Sequence, residues 1–226
     1  MENNYVKHYL DILDVYPSVY ALKFFLGKNP DISFNREVFK GKKILDIGFG
    51  DGRDMSLFGK LGMDAHGIEI SSEVVAHTRS KFSKVNSLGK FSFHQGFNHD
   101  TGFENETFDY VYSVAALMYL ASPDIDIGKI LNHVHSILKT NGWFVGTFAR
   151  KDSHITSGAK FITENRVILS DPFYNYREGQ LYHVHCSAEE ARCDLASAGF
   201  RDVEIYDYAV DWFGTHEKNY IFTARK

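Results

Sequence analysis

A chain of 226 residues with 44% hydrophobic content carries enough apolar material for one sizeable α/β core. Its net charge of −4 and pI near 6.2 argue against a general nucleic-acid binder, which carries a basic surface. Two cysteines, Cys186 and Cys193, exclude a disulfide framework and any zinc-type cysteine spacing.

Met1-Glu2-Asn3-Asn4 lacks a basic-then-apolar leader, and no apolar run approaches membrane-spanning length. A cytoplasmic protein with no membrane partner is expected. Residues 5–26 follow with mostly helical apolar spacing, broken at Tyr16-Pro17-Ser18. Pro17, which has no amide donor, is expected to end one helix and open the next.

Lys43-Ile44-Leu45-Asp46-Ile47 is a short apolar run holding one acid, and reads as a buried parallel strand. Gly48-Phe49-Gly50-Asp51-Gly52 then spends three glycines in five positions. Glycines at alternate positions let the chain turn sharply and let a ligand approach the backbone. A helix from Asp54 to about Leu61, stopped by Gly62, would point its unpaired N–H groups at whatever the loop holds. The next apolar segment, Ala65 to Ile70, brings Glu69 about 20 residues on, where a second strand holds a ribose by its hydroxyls.

Ser71 or Ser72 caps a helix expected through about Val85, and Lys90 to Gln95 alternates as strand three. Phe108-Asp109-Tyr110-Val111-Tyr112-Ser113 reads as strand four, with Asp109 structural at its start. Ser113 lies at the carboxyl end, where ligands sit in open parallel sheets. Asp126 to Lys139 is an amphipathic helix, and Trp143 to Phe148 is strand five.

Residues 150–186 interrupt the alternation and carry His154, Tyr176, Arg177, His183 and His185. An extended His183-Val184-His185 sends both imidazoles to one side, but without an obvious third ligand no metal is expected. Ser187 caps a last helix stopped at Gly199, and Phe200 to Tyr206 and Asn219 to Ala224 read as closing strands.

Ile44 to Arg53, with Asp46 ahead of a GxGxG triplet, resembles motif I of class I S-adenosylmethionine-dependent methyltransferases. Phe108-Asp109 is similar to that family's entry to strand four. Leu138-Lys139-Thr140-Asn141-Gly142 is similar to its Leu-Lys-Pro-Gly-Gly turn, and the helix–Gly-Phe–strand ending to its closing section. The resemblance covers 41–149 well and 187–226 moderately. It implies an α/β, Rossmann-like doubly wound sheet of about seven strands with the last antiparallel. The whole chain would be a single domain: a helical cap (1–40), a cofactor-binding core (41–149), a substrate-pocket insertion (150–186) and a closing section (187–226).

The cofactor so implied is S-adenosyl-L-methionine, leaving S-adenosyl-L-homocysteine. Asp46 would secure the loop and the methionyl amine, and Gly48 and Gly50 would permit close backbone approach. Arg53 would meet the carboxylate or Asp46, and Glu69 the ribose. Phe49, Ile70 and Ser113 complete the set. Phe97 departs from the family's acid after strand three and is expected to stack on adenine, with Asn98 as a polar contact. Tyr5, Tyr9 and Tyr16 are candidates to close the pocket, Tyr16 being preferred for its place at the helix break.

An aliphatic hydroxyl acceptor needs a general base, whereas an amine or carboxylate needs none. The insertion histidines favour O-methylation of a small molecule such as a carbohydrate or secondary metabolite, with His154, then His183 and His185, as candidate bases. N- or carboxyl-methylation is the alternative, and a monomer or homodimer is expected. Two other readings are a NAD-dependent oxidoreductase and a non-catalytic adenosylmethionine-binding module.

Overall fold

The computed structural model describes residues 4–10, 16–28, 38–83, 89–170 and 176–226. In chain order the elements are α1 (Asn4–Leu10), α2 (Val19–Leu26), β1 (Lys43–Ile47), α3 (Arg53–Lys60), β2 (Asp64–Glu69) and α4 (Ser72–Ser83). Next come β3 (Lys90–Gln95), β4 (Phe108–Ser113), α5 (Ile127–Ile137) and β5 (Leu138–Ala149). A 3₁₀ turn at His154–Thr156 precedes β6 (Lys160–Phe161), β7 (Arg166–Ile168) and β8 (Leu181–His183). The chain closes with α6 (Ala188–Ser197), β9 (Arg201–Trp212) and β10 (Thr215–Arg225).

The main sheet has seven strands in the order β3-β2-β1-β4-β5-β10-β9. β1 to β5 pair in parallel, and β10 inserts antiparallel between β5 and β9. β2 lies on one side of β1 and β4 on the other, so the strand order reverses at β1. In open α/β sheets that reversal opens a crevice at the carboxyl ends of the strands.

Side-chain alternation divides the core in two. Ile44, Tyr110, Tyr112 and Val145 pack with Phe25 of α2, Phe58 of α3 and Val74 of α4. Leu45, Ile47, Val111 and Phe144 pack with Ile130 of α5, Leu195 of α6 and, from the insertion, Val167 and Tyr182. Strands buried on both faces explain the near-continuous apolar runs in the sequence.

Four helices open on side-chain caps, α4 on Ser71, which accepts from the Val74 amide at 3.3 Å. Ser18 accepts from the Ala21 amide at 3.1 Å, Asp126 from Lys129 at 2.8 Å and Ser187 from Glu190 at 3.1 Å. α2 thus starts after a serine cap, with Pro17 one residue outside it, because a hydroxyl can fill an open helix amide and a proline ring cannot. The expected end of the preceding helix near Pro17 and the expected run of α4 to Val85 fall on residues 11–15 and 84–88, outside the described residues. The closing strands are longer than expected. They turn through Phe213 and Gly214 at φ 53° and 92°, both left-handed, as tight hairpins require. Trp212 and Phe213 therefore stand exposed at the hairpin tip. The insertion forms its own three-stranded sheet, β6-β7-β8, which no pattern in the sequence announced. Among the described residues, no helix is long and apolar enough to cross a membrane.

Candidate active site

The β1–α3 turn is built as its glycines predict. Gly48, Gly50 and Gly52 take φ of 78°, 54° and 77°, a region that a Cβ disfavours. Space is short as well: a Cβ on Gly48 would lie 2.2 Å from the Ala116 Cβ, and one on Gly50 would lie 2.5 Å from the Tyr9 ring.

Four carboxylates are buried around this turn: Asp46, Asp51, Asp54 and Glu69. Asp51 is paired with Arg53, whose Nη2 lies 2.6 Å from Oδ2 and whose Nε lies 3.1 Å from Oδ1. Asp54, on the first turn of α3, accepts from the Ser18 amide at 2.7 Å, the Ser18 hydroxyl at 2.9 Å and the Tyr112 hydroxyl at 2.9 Å. Those bonds clasp the start of α2 to α3. Glu69 accepts from the Gly50 amide at 3.3 Å, its neighbour Ile70 at 2.7 Å and the Tyr5 hydroxyl at 2.6 Å.

Asp46 is the exception: among the described residues it has neither an ion pair, as Asp51 has, nor hydrogen bonds such as Asp54 and Glu69 accept. Burial, and then the charges of Asp54, Glu69 and Asp51, hold its carboxyl well above the usual carboxylate range. Burial likewise raises Glu69 and Asp54, against the hydrogen bonds that each accepts. Four buried acids with one guanidinium make a pocket that favours a cationic ligand and repels an anionic one.

Tyrosines roof the turn. Tyr5 and Tyr9 of α1 meet edge to face at 5.1 Å. Tyr176 lies 6.3 Å from Tyr5 and stacks on His8 at 4.5 Å. The Arg177 guanidinium lies 4.6 Å over the Tyr176 ring and donates to its hydroxyl. Tyr119, just past β4, meets Tyr182 of β8 at 4.8 Å. Burial and nearby charges raise every phenol in this group for which a direction is defined: Tyr5, Tyr9, Tyr119 and Tyr182.

The sequence candidates fall into several groups. Asp46, Gly48, Gly50 and Glu69 come together at the turn, and Ile70 stands half-exposed beside Glu69. Phe97 is 42% exposed past β3, available to a flat ligand. Arg53 spends its guanidinium on Asp51, not on Asp46. Phe49 is buried edge to face on Phe93, so it supports the sheet from below. The Ser113 hydroxyl is fully buried and donates to the Ile47 carbonyl at 3.2 Å, tying β4 to β1. Asn98 donates to the carbonyls of Leu117 and Tyr119, holding the post-β4 segment. Tyr16 is 80% exposed, and the roof is formed by Tyr5 and Tyr9.

The three histidines expected as bases are not at the roof, where the histidine present is His8 of α1. His154 is held by the His216 carbonyl at 3.2 Å, beside β10. β10 lies three strands from β1, roughly 14 Å across the sheet. His183 and His185 project to the side opposite Tyr182, toward α6, where His185 Nε2 meets Asp194 Oδ2 at 2.9 Å. Burial, with His185 alongside, pushes the His183 imidazole down to about 4. The roof residues Tyr119, Tyr176, Arg177 and Tyr182 are scattered over two segments. Only the chemistry of the insertion, rich in Tyr and Arg, hinted at part of them.

Comparison with known proteins agrees with this geometry. Residues 44–142 match the family model described as a methyltransferase domain. No curated protein matches the chain significantly. Among solved structures, a methyltransferase from Methanosarcina mazei described as S-adenosylmethionine-dependent is 19% identical, with a TM-score of 0.66 over 83% of this chain and 93% of that one. The 1,6-didemethyltoxoflavin-N1-methyltransferase of Burkholderia thailandensis, solved with that compound and S-adenosylhomocysteine, is 18% identical, with a TM-score of 0.59 over 84% and 73%. A Haloferax volcanii complex of the Trm112 methyltransferase activator with a methyltransferase gives 18% identity and a TM-score of 0.58 over 98% and 88%. The matched segment holds the acidic glycine turn, and the solved structures share this chain's fold.

Proposed function

We propose that the chain methylates a small molecule held among Tyr119, Tyr176, Tyr182 and Arg177, at a nucleophile that needs no base from the insertion histidines. An amine, a carboxylate or an already ionised oxygen meets that condition. The observation that carries the donor side is the buried Asp46 carboxylate without a cation partner among the described residues. A ligand bearing a sulfonium and an ammonium supplies the missing positive charge. The diphosphate of NAD would add two negative charges to four buried acids, which speaks against the oxidoreductase reading.

Asp46 is placed to take the methionyl ammonium, Gly48 and Gly50 to admit the ligand against the backbone, and Glu69 to take the ribose hydroxyls. The Tyr5 hydroxyl donates to the same carboxylate, so it competes with a ribose hydroxyl for Glu69. The bound donor supplies an already activated methyl group. The protein's task is alignment, which contributes on the order of 7–11 kcal/mol in favourable intramolecular cases.

The preference for a hydroxyl acceptor rested on the insertion histidines. Their places, beside β10 and against α6, shift the support toward the N- or carboxyl-methylation alternative. Calorimetry with S-adenosylmethionine, S-adenosylhomocysteine and NAD tests the donor: binding of the first two and none of the third is expected. Incubation with labelled donor and a panel of amines, carboxylates and alcohols tests the acceptor. Label on an aliphatic alcohol alone would overturn the acceptor reading, and label on nothing would favour a non-catalytic binding module.

A further inference from the structure

On the α5–α6 side of the sheet, the insertion meets the closing helix through a cluster that methyl transfer does not use. His183 ends β8, His185 follows two residues later, and Asp194 rises from the middle of α6. One nitrogen from each imidazole and one oxygen of Asp194 all lie within 4.8 Å of one another. We propose that His183, His185 and Asp194 hold a divalent cation, zinc by ligand chemistry, that pins the insertion to α6.

Two observations carry this beyond an ordinary His–Asp pair. The hydrogen bond from His185 to Asp194 satisfies one ring nitrogen of His185 and leaves the other. Nδ1 of His185 and Nε2 of His183 are both buried without a hydrogen-bond partner. His185 is fully buried. Buried imidazole nitrogens without partners are costly in a protein interior unless something accepts their lone pairs.

Two imidazoles and one carboxylate are a set that zinc takes, with solvent filling a fourth position. The ligand edges of a tetrahedral zinc site are about 3.4 Å, given ligand distances near 2.1 Å. The three ligand atoms, within 4.8 Å of one another, would have to draw together on binding. Asp194 is 33% exposed, which gives an ion a way in from solvent. Arg166, the charged neighbour on β7, has its guanidinium committed to the carbonyls of Pro123 and Ile125. The sequence alone offered no third ligand, because Asp194 sits on a separate helix and joins the pair only in the folded chain.

The test uses the tag-free full chain, stripped with chelator and dialysed. It is titrated with Zn2+ by calorimetry and with Co2+ by visible absorption. One ion per chain and intense ligand-field bands from low-symmetry cobalt are expected. Asp194→Asn and His183→Asn, each checked for native circular dichroism, should weaken binding roughly ten-fold or more. The exposed thiols are the control, so a Cys186→Ser, Cys193→Ser double variant should bind as the parent does. Absence of stoichiometric binding overturns the proposal, as does binding that survives Asp194→Asn but vanishes in the cysteine variant. These readouts are independent of donor binding, so they stand or fall apart from the methyl-transfer reading.

Discussion

The glycine turn and the insertion meet at the roof of the cleft, where Tyr176 touches α1 and Tyr182 touches Tyr119, yet they are built on different physics. The turn gathers four acids from one contiguous strand–turn–helix and one neighbouring strand, and its character is electrostatic. The insertion brings aromatic surface and one guanidinium from residues that meet only through its small sheet. On the proposed function, donor recognition would depend on fixed charge at the turn and acceptor recognition on how a short three-stranded sheet is docked.

The sharpest way to break that contrast is Asp46→Asn. Removing the one of the four acids with neither an ion pair nor a hydrogen bond among the described residues should weaken S-adenosylmethionine binding roughly 100-fold or more. The same change should raise the melting temperature of the donor-free protein, because it removes a charge that burial and three acids oppose. The pH dependence follows. Asp46 has a raised folded pKa, so between the ordinary carboxylate range and that raised value the folded protein keeps a proton the unfolded chain has lost. Stability of the donor-free protein should fall as pH rises through that window, while affinity for the cationic donor should rise. A variant that loses melting temperature together with affinity would refute the electrostatic account.

Gly48→Ala comes next in size. It places a Cβ 2.2 Å from Ala116 at a left-handed φ and should cost about 2–4 kcal/mol in chemical denaturation. A smaller loss would mean that the turn is slack. Glu69→Ala should leave the fold intact and weaken donor binding about ten- to a hundred-fold, as expected for lost hydrogen bonds to a charged group. Unchanged affinity by calorimetry would remove its ribose role. Tyr5→Phe is the mildest change. It frees Glu69 from the phenol and should tighten donor binding by about two- to ten-fold. Weaker binding would show instead that the tyrosine assists the donor.

The donor half was legible in the sequence because its signals are local. Asp46, the three glycines and Glu69 fall within a single strand–turn–helix–strand unit, so spacing alone places them together. Within that unit, Arg53 and Phe49 were read as ligand contacts, but short-range geometry gives Arg53 a closer acid in Asp51, and Phe49 is buried against Gly67 and Phe93. The acceptor half was hidden because strand alternation decides it. Nothing in the sequence says on which side of β8 its histidines fall, and pairing with the segment Met118–Leu120 sends Tyr182 to the roof and His183 to α6. The three tyrosines of the first 16 residues illustrate the same limit: the one beside Pro17 is bathed in solvent, and the two on α1 do the covering.

β8 is only three residues long, and its two faces serve unrelated ends. Deleting or adding one residue between its pairing with Leu120 and the start of α6 would rotate the ribbon by half a pleat, presenting imidazole to the cleft and phenol to the helix. Such an error would damage both faces at once while leaving the glycine turn untouched. Acceptor preference is thus open to change by substitution at Tyr182 but closed to change by length.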